Sequence, residues 1–193
     1  MSEAGIQVSV ARARAAATHG TATPAAPRVD EAAVRAILAA VPDPELPMLS
    51  IVDLGIVHRV EVGPDGGPIR VEILPTFVGC PALDLIKASV AERLAGLGRP
   101  VEVMVTFKVP WTSDRISPAG RQALLEAGIT PPGPVPDVAA GGTLTLIGLE
   151  PRVPCPYCGS RRTVLDNAFG PTQCRTIRSC LDCRQPFEAI KPV

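Results

Sequence analysis

Four cysteines arranged as two C-x-x-C pairs, Cys155-Pro-Tyr-Cys158 and Cys180-Leu-Asp-Cys183, constrain this chain more tightly than any other feature. A two-residue spacer lets both thiolates of a knuckle meet one tetrahedral ion at about 2.3 Å, so the pairs read as the ligand set of a zinc ribbon. The 21 residues between them exceed the usual spacing of roughly 15–20 only slightly and suit a β-hairpin excursion. Iron or an iron–sulfur cluster is the alternative occupant, because thiolate tetrads suit those as well. A disulfide framework is disfavoured, since nothing in the sequence directs export to an oxidising compartment. A module of about 40 residues has too little core to fold by itself, so the metal is expected to supply its folding energy.

Ahead of the ribbon the hydrophobic pattern predicts an α+β domain over residues 30–129. Asp30 caps a helix over 31–41 in which Val34, Ile37, Leu38 and Val41 form one apolar stripe, and Pro42 and Pro44 end it. Strand alternation over Ile56–Val62 and Ile69–Leu74, separated by Gly63-Pro64-Asp65-Gly66-Gly67, predicts a hairpin. Helical spacing returns from Pro81 to Leu97, with Gly98 as a left-handed cap. Val101, Val103, Val105 and Phe107 alternate as a third strand, and Ser117-Pro118 starts a last helix that stops at Gly128. The fold class is therefore α+β, a small mixed sheet with helices packed on it, followed by a C-terminal zinc-ribbon module over 143–193. Residues 1–29 are rich in Ala, Thr and Arg without an apolar period and are expected to form a disordered tail. The Pro/Gly-rich stretch 130–142 reads as a linker.

Charge narrows the function classes. Nineteen Lys and Arg balance nineteen Asp and Glu, which argues against a protein that coats a phosphate backbone over its whole surface. The surplus is local: residues 151–193 hold seven cations, Arg175 and Arg178 among them, against three anions. A docking surface for acidic partners is one reading of that basic ribbon. Nucleic-acid binding is another and is disfavoured, with Tyr157 and Phe187 the aromatics near the knuckles. No apolar run reaches the ~18–20 residues of a membrane span, so a cytoplasmic location and no membrane partner are expected.

Chemistry outside the tetrad gathers around Cys80. Thr76-Phe-Val-Gly-Cys80-Pro81 joins a strand to a helix, which places Cys80 at about the N-cap, where the helix dipole lowers a thiol pKa and favours a ligand or nucleophile. Packing is the plain alternative. A thiol hydrolase would need a base, and the two histidines are His19 in the tail and His58 in a strand. Asp43 and Glu45 are either turn-formers and solvated charge, or carboxylates that join a thiolate in a hard-plus-soft site for transient iron. Cys174 substitutes for Cys180 in a shorter loop, is a free thiol, or is a small buried hydrophobe. Trp111 reads as a core or interface anchor.

Asp43-Pro-Glu45, Ser50-Ile-Val-Asp-Leu-Gly-Ile-Val57 and Thr76-Phe-Val-Gly-Cys-Pro81 resemble the metal–sulfur cluster assembly family over about 31–133. The stretch from Cys155 through Phe169-Gly-Pro-Thr-Gln-Cys174 to Lys191-Pro192 resembles the ribbon of one branch, the D (also called J) component of the bacterial phenylacetyl-CoA epoxidase system. The resemblance implies a non-catalytic component of a multicomponent monooxygenase in aerobic phenylacetate degradation. Its implied partners are a di-iron oxygenase and a reductase carrying a [2Fe–2S] cluster, with a homodimer left open. It implies help with iron or iron–sulfur cluster assembly, with Cys80 as the reactive cysteine, holding transient iron or a cluster, and Asp43 and Glu45 as the acidic motif. Cys174 matches a cysteine of this branch's ribbon. Arg115 departs from the pattern, standing where an aromatic is expected.

Overall fold

Asp30 opens the first helix: its Oδ1 accepts the Ala33 amide at 2.8 Å, and α1 runs Glu31–Leu38. The computed structural model describes residues 29–77, 79–133 and 153–192, so residues 1–28 of the expected tail and the expected linker from residue 134 onward lie outside the described residues, while Val29 packs against the core instead of ending a disordered tail. α1 stops short of the expected residue 41. The helical conformation is disfavoured for the residue before a proline, and Val41 instead reaches the core from a turn, 1% exposed, while its carbonyl accepts the Ile51 amide at 2.9 Å.

The predicted hairpin forms from β1 (Val57–Val62) and β2 (Ile69–Ile73), paired antiparallel. Asp65 and Gly66 take positive φ at its tip, which a turn this tight requires. From β2 the chain crosses through α2 (Leu83–Ala95) to β3 (Val101–Val105), which lies parallel to β2 with Ile69 opposite Val101. The sheet order is β1-β2-β3. Ile69, Val71 and Ile73, on the buried face of the central strand, are fully excluded from water with Val34 and Leu38 of α1 and Val90 and Leu94 of α2. Arg70 and Glu102 pair at 2.8 Å on adjacent strands, both still half-exposed. Phe107 does not continue the alternation of β3 as expected: it lies past the strand's end and is 65% exposed.

Ser117 caps α3 (Pro118–Glu126) by accepting the Gly120 amide at 2.9 Å, and Pro118 occupies the first turn. Gly128 ends it with φ +76°, and the Tyr157 hydroxyl lies 2.8 Å from where a β-carbon would stand. Ile129–Thr130 then form a short strand, β4, which belongs to the ribbon's sheet.

The ribbon comprises β5 (Thr163–Asn167), β6 (Arg175–Cys180) and β7 (Pro186–Ile190), in the order β4-β7-β6-β5. Thr130 Oγ1 donates to the Pro154 carbonyl at 2.9 Å. Ile190, at the end of the ribbon's last strand, is buried in the core of the α+β domain together with Ile129 and Trp111. The expected boundary between residues 129 and 130 therefore falls inside a strand that the two modules share.

Candidate functional site

The first centre lies at the ribbon's knuckles. Cys155, Cys158, Cys180 and Cys183 place all four sulfurs within 4.8 Å of one another, the one such group of metal-ligating side chains among the described residues. Cys155 Sγ lies 3.6 Å from Cys183 Sγ, and Cys158 Sγ 3.6 Å from Cys180 Sγ. A disulfide would require about 2.05 Å, whereas a tetrahedron of thiolates around an ion at about 2.3 Å has edges of about 3.8 Å. The donor set thus fits a closed, four-thiolate metal site. Within the tetrad the thiols act on one another: the amide of Cys183, against burial, pulls the Cys180 thiol down to about 6, while burial and the neighbouring sulfurs push the Cys183 and Cys158 thiols up. A turn of the chain forms each knuckle, with Gly159 N–H donating to the Cys155 carbonyl and Arg184 N–H to that of Cys180. Cys174 stands apart from the tetrad and does not replace Cys180.

The second centre surrounds Cys80. α2 begins later than the sequence suggests, with Ala82 as its N-cap, so Cys80 sits two residues ahead of the helix end. The expected depression of its thiol pKa is reversed. Burial raises it, the Ala82 amide opposes, and the charges of Glu45, Asp43 and Cys174 raise it further. Desolvation by the surrounding side chains outweighs one favourable amide.

Asp43 is 5% exposed, its Oδ1 accepting the amides of Glu45 at 2.9 Å and Leu46 at 2.8 Å. It is a turn-former that also faces the thiol pocket. Burial lifts the Asp43 carboxyl above its usual value, and burial followed by the Asp43 charge lifts Glu45. Glu45 is half-buried and not the fully solvated charge expected of it. Asp53 serves α3 instead, accepting from the hydroxyls of Ser50 and Ser117, each at 2.7 Å.

Cys174 arrives from the other module. A pocket of about 250 Å³ is walled on one side by Phe169–Cys174, the loop between β5 and β6, and on the other by Glu45, Thr76, Phe77, Cys80 and Pro81. Beneath it a smaller cavity reaches Asp43, Trp111 and Ile190. Trp111 is the core anchor expected, 7% exposed, with its Nε1 donating to the Leu54 carbonyl at 2.9 Å. Sequence reasoning missed Thr76 and Thr172 as pocket residues. Thr172 lies in the same Phe169–Cys174 motif as Cys174, which was the available signal.

Arg175 is the clamp of this seam. Its side chain, 11% exposed, pairs with Glu188 at 2.7 Å, donates to Thr172 Oγ1 at 2.9 Å and points one nitrogen at the Glu45 carbonyl 3.5 Å away. Arg178 is 8% exposed. Both cations are withdrawn from the surface, which corrects the expectation that these two residues carry a basic docking face. Arg115 packs its backbone and Cβ at 2.5–2.8 Å from where a β-carbon on Gly55 would stand, an approach that only glycine at position 55 leaves room for.

Two family models match the chain: an iron-sulfur cluster assembly protein domain over residues 31–107 and the PaaD zinc beta ribbon domain over 139–191. A protein of Escherichia coli (strain K12), named as the putative D component of 1,2-phenylacetyl-CoA epoxidase, is 37% identical over 171 residues, 88% of this chain and 96% of that protein. The chain belongs to the phenylacetyl-CoA epoxidase D-component family. It is also 36% identical over 95 residues to an Fe-S protein maturation auxiliary factor of Porphyromonas gingivalis, covering 48% of this chain and 85% of that one. A second such factor, from Bacillus subtilis, is 36% identical over 84 residues, 42% of this chain and 80% of its own length. The maturation factors each match less than half of this chain, whereas the epoxidase relative spans most of it. Among the described residues no helix is long and apolar enough to cross a membrane.

Proposed function

We propose that this D-component family member is a non-catalytic accessory of a phenylacetyl-CoA epoxidase system, which delivers iron or an iron–sulfur cluster to the oxygenase or the reductase. The observation that carries the reading is the placement of Cys80 on an open pocket beside Asp43 and Glu45. The family membership, the match of residues 31–107 to the iron-sulfur cluster assembly protein domain and the kinship to maturation factors support it. In this reading residues 30–129 are the assembly domain and 143–193 the ribbon, and the protein works in the cytoplasm.

The zinc ribbon is structural. All four ligand positions come from the protein, so bound zinc would close the two knuckles and leave no open position for substrate. The working thiol is Cys80. At rest it carries its proton, held there by burial and by the two carboxylates. Ferrous iron arriving in the pocket supplies the charge that the thiolate needs; the S–H bond breaks, a sulfur–iron bond forms and the proton leaves to water. Glu45, half-buried and bordering the same pocket, offers a hard oxygen beside that soft sulfur.

Cys80→Ser tests the reading. The variant is expected to keep its fold and ribbon metal, while iron or cluster occupancy of the oxygenase or reductase, measured after purification from cells carrying the whole system, falls to less than half. Unchanged occupancy and unchanged epoxidation would refute the assembly role.

A further inference from the structure

Cys80 is not the only sulfur on its pocket. The loop Phe169–Cys174 leaves the ribbon between β5 and β6 and brings Cys174 to the same wall-to-wall space, with Glu45 between the modules. Its position is built in. The Cys174 carbonyl accepts the Lys191 amide at 2.9 Å, Lys191 Nζ donates to the Gln173 carbonyl at 2.6 Å and lies 4.4 Å from the centre of the Phe169 ring. Arg175 closes the turn from the other side, its amide donating to the Thr172 carbonyl at 3.2 Å and its guanidinium held on Glu188. Cys174 Sγ is 3.1 Å from Thr172 Oγ1.

Cysteines that merely fill space are sealed by apolar neighbours. These two border about 250 Å³ of open pocket and share it with a carboxylate. Together with Asp43 they are more widely spread than the compact knuckle tetrad. A resident structural ion is held by a closed set; a cargo that must leave suits an open one.

We propose that Cys80 and Cys174 are paired thiolate ligands, one from each module, for a thiophilic cargo, ferrous iron or a small iron–sulfur cluster. The inference rests on the reading of Cys80 as the transfer thiol and names its partner ligand. It also gives the ribbon a role at the transfer site, because the ribbon's fold carries the second sulfur to the first. Each thiol exchanges its proton for a bond to the metal, and no electron moves.

The test uses the full-length, zinc-loaded protein without oxygen, with Co²⁺ as the probe, since cobalt binds such sites more weakly than zinc and leaves the ribbon's metal in place. Wild type is expected to take one Co²⁺ beyond the zinc, with a thiolate-to-cobalt charge-transfer band that loses about half its intensity in Cys80→Ser and in Cys174→Ser. Affinity should fall at least about tenfold in each, as loss of even an outer partner weakens metal sites by 10–100-fold. Cys174→Ser titrating like wild type while Cys80→Ser loses binding would overturn the pairing and leave the Cys80 reading standing. Cys80→Ser titrating like wild type, or no Co²⁺ bound beyond the zinc, would overturn both. A second measurement needs no variant: bound Co²⁺ should protect both Cys80 and Cys174 from iodoacetamide in wild type, and protection of Cys80 alone overturns the pairing.

Discussion

Cys80 shows how a neighbour sets the behaviour of a single side chain. Position near a helix start favours its thiolate, yet burial and the charges of Glu45 and Asp43 prevail and hold the thiol protonated. The sign yields a prediction at this scale. Glu45→Gln removes one of the charges that raise the Cys80 pKa, so the thiolate fraction at a given pH increases and alkylation of Cys80 speeds up. The pH at which the iodoacetamide rate reaches half its plateau should move down in the variant, and an unmoved profile would show that Glu45 does not act on the sulfur. Asp43 is the less suitable target, because its Oδ1 also holds two amides of the turn it sits in.

The start and end of α3 are each served by local chemistry and by a contact from elsewhere in the chain. Ser117 Oγ accepts the Gly120 amide and donates to Asp53, so one hydroxyl caps the helix and binds it to the loop before β1. Ser117→Ala is expected to lower stability by about 1 kcal/mol, the usual worth of an N-cap, read as a lower urea midpoint with unchanged slope. At the other end Gly128 combines a positive φ with the close approach of Tyr157. Gly128→Ala carries a left-handed penalty of roughly 1–2 kcal/mol and also displaces the Tyr157 ring. Gly128→Ala in a Tyr157→Phe background should recover part of the loss, because the hydroxyl is the nearest atom to the new methyl.

For the molecule as a whole, the ribbon and the α+β domain share a strand pairing and a core, with Ile190 buried beside the pocket that Trp111 lines. Stripping the ribbon's metal should therefore disturb the first module. Chelation is expected to shift the emission of Trp111, the chain's single tryptophan, to the red, although it lies outside the ribbon; an unchanged spectrum would mean that the modules separate cleanly. The clustering of the two C-x-x-C pairs, the caps at Asp30 and Ser117, the stop at Gly128 and the hairpin of β1 with β2 were determined by the sequence alone, whereas the bulge in β1 that breaks its alternation was not. The former depend on spacing or on a backbone conformation within a few residues, and such signals survive in one dimension. The parallel pairing of β2 with β3, the addition of β4 to the ribbon's sheet, the burial of Arg175 and the arrival of Cys174 opposite Cys80 were decided by the tertiary structure. So was the sign of the Cys80 shift. These depend on which distant segments exclude water from one another, and desolvation is a property of surroundings that only packing assembles.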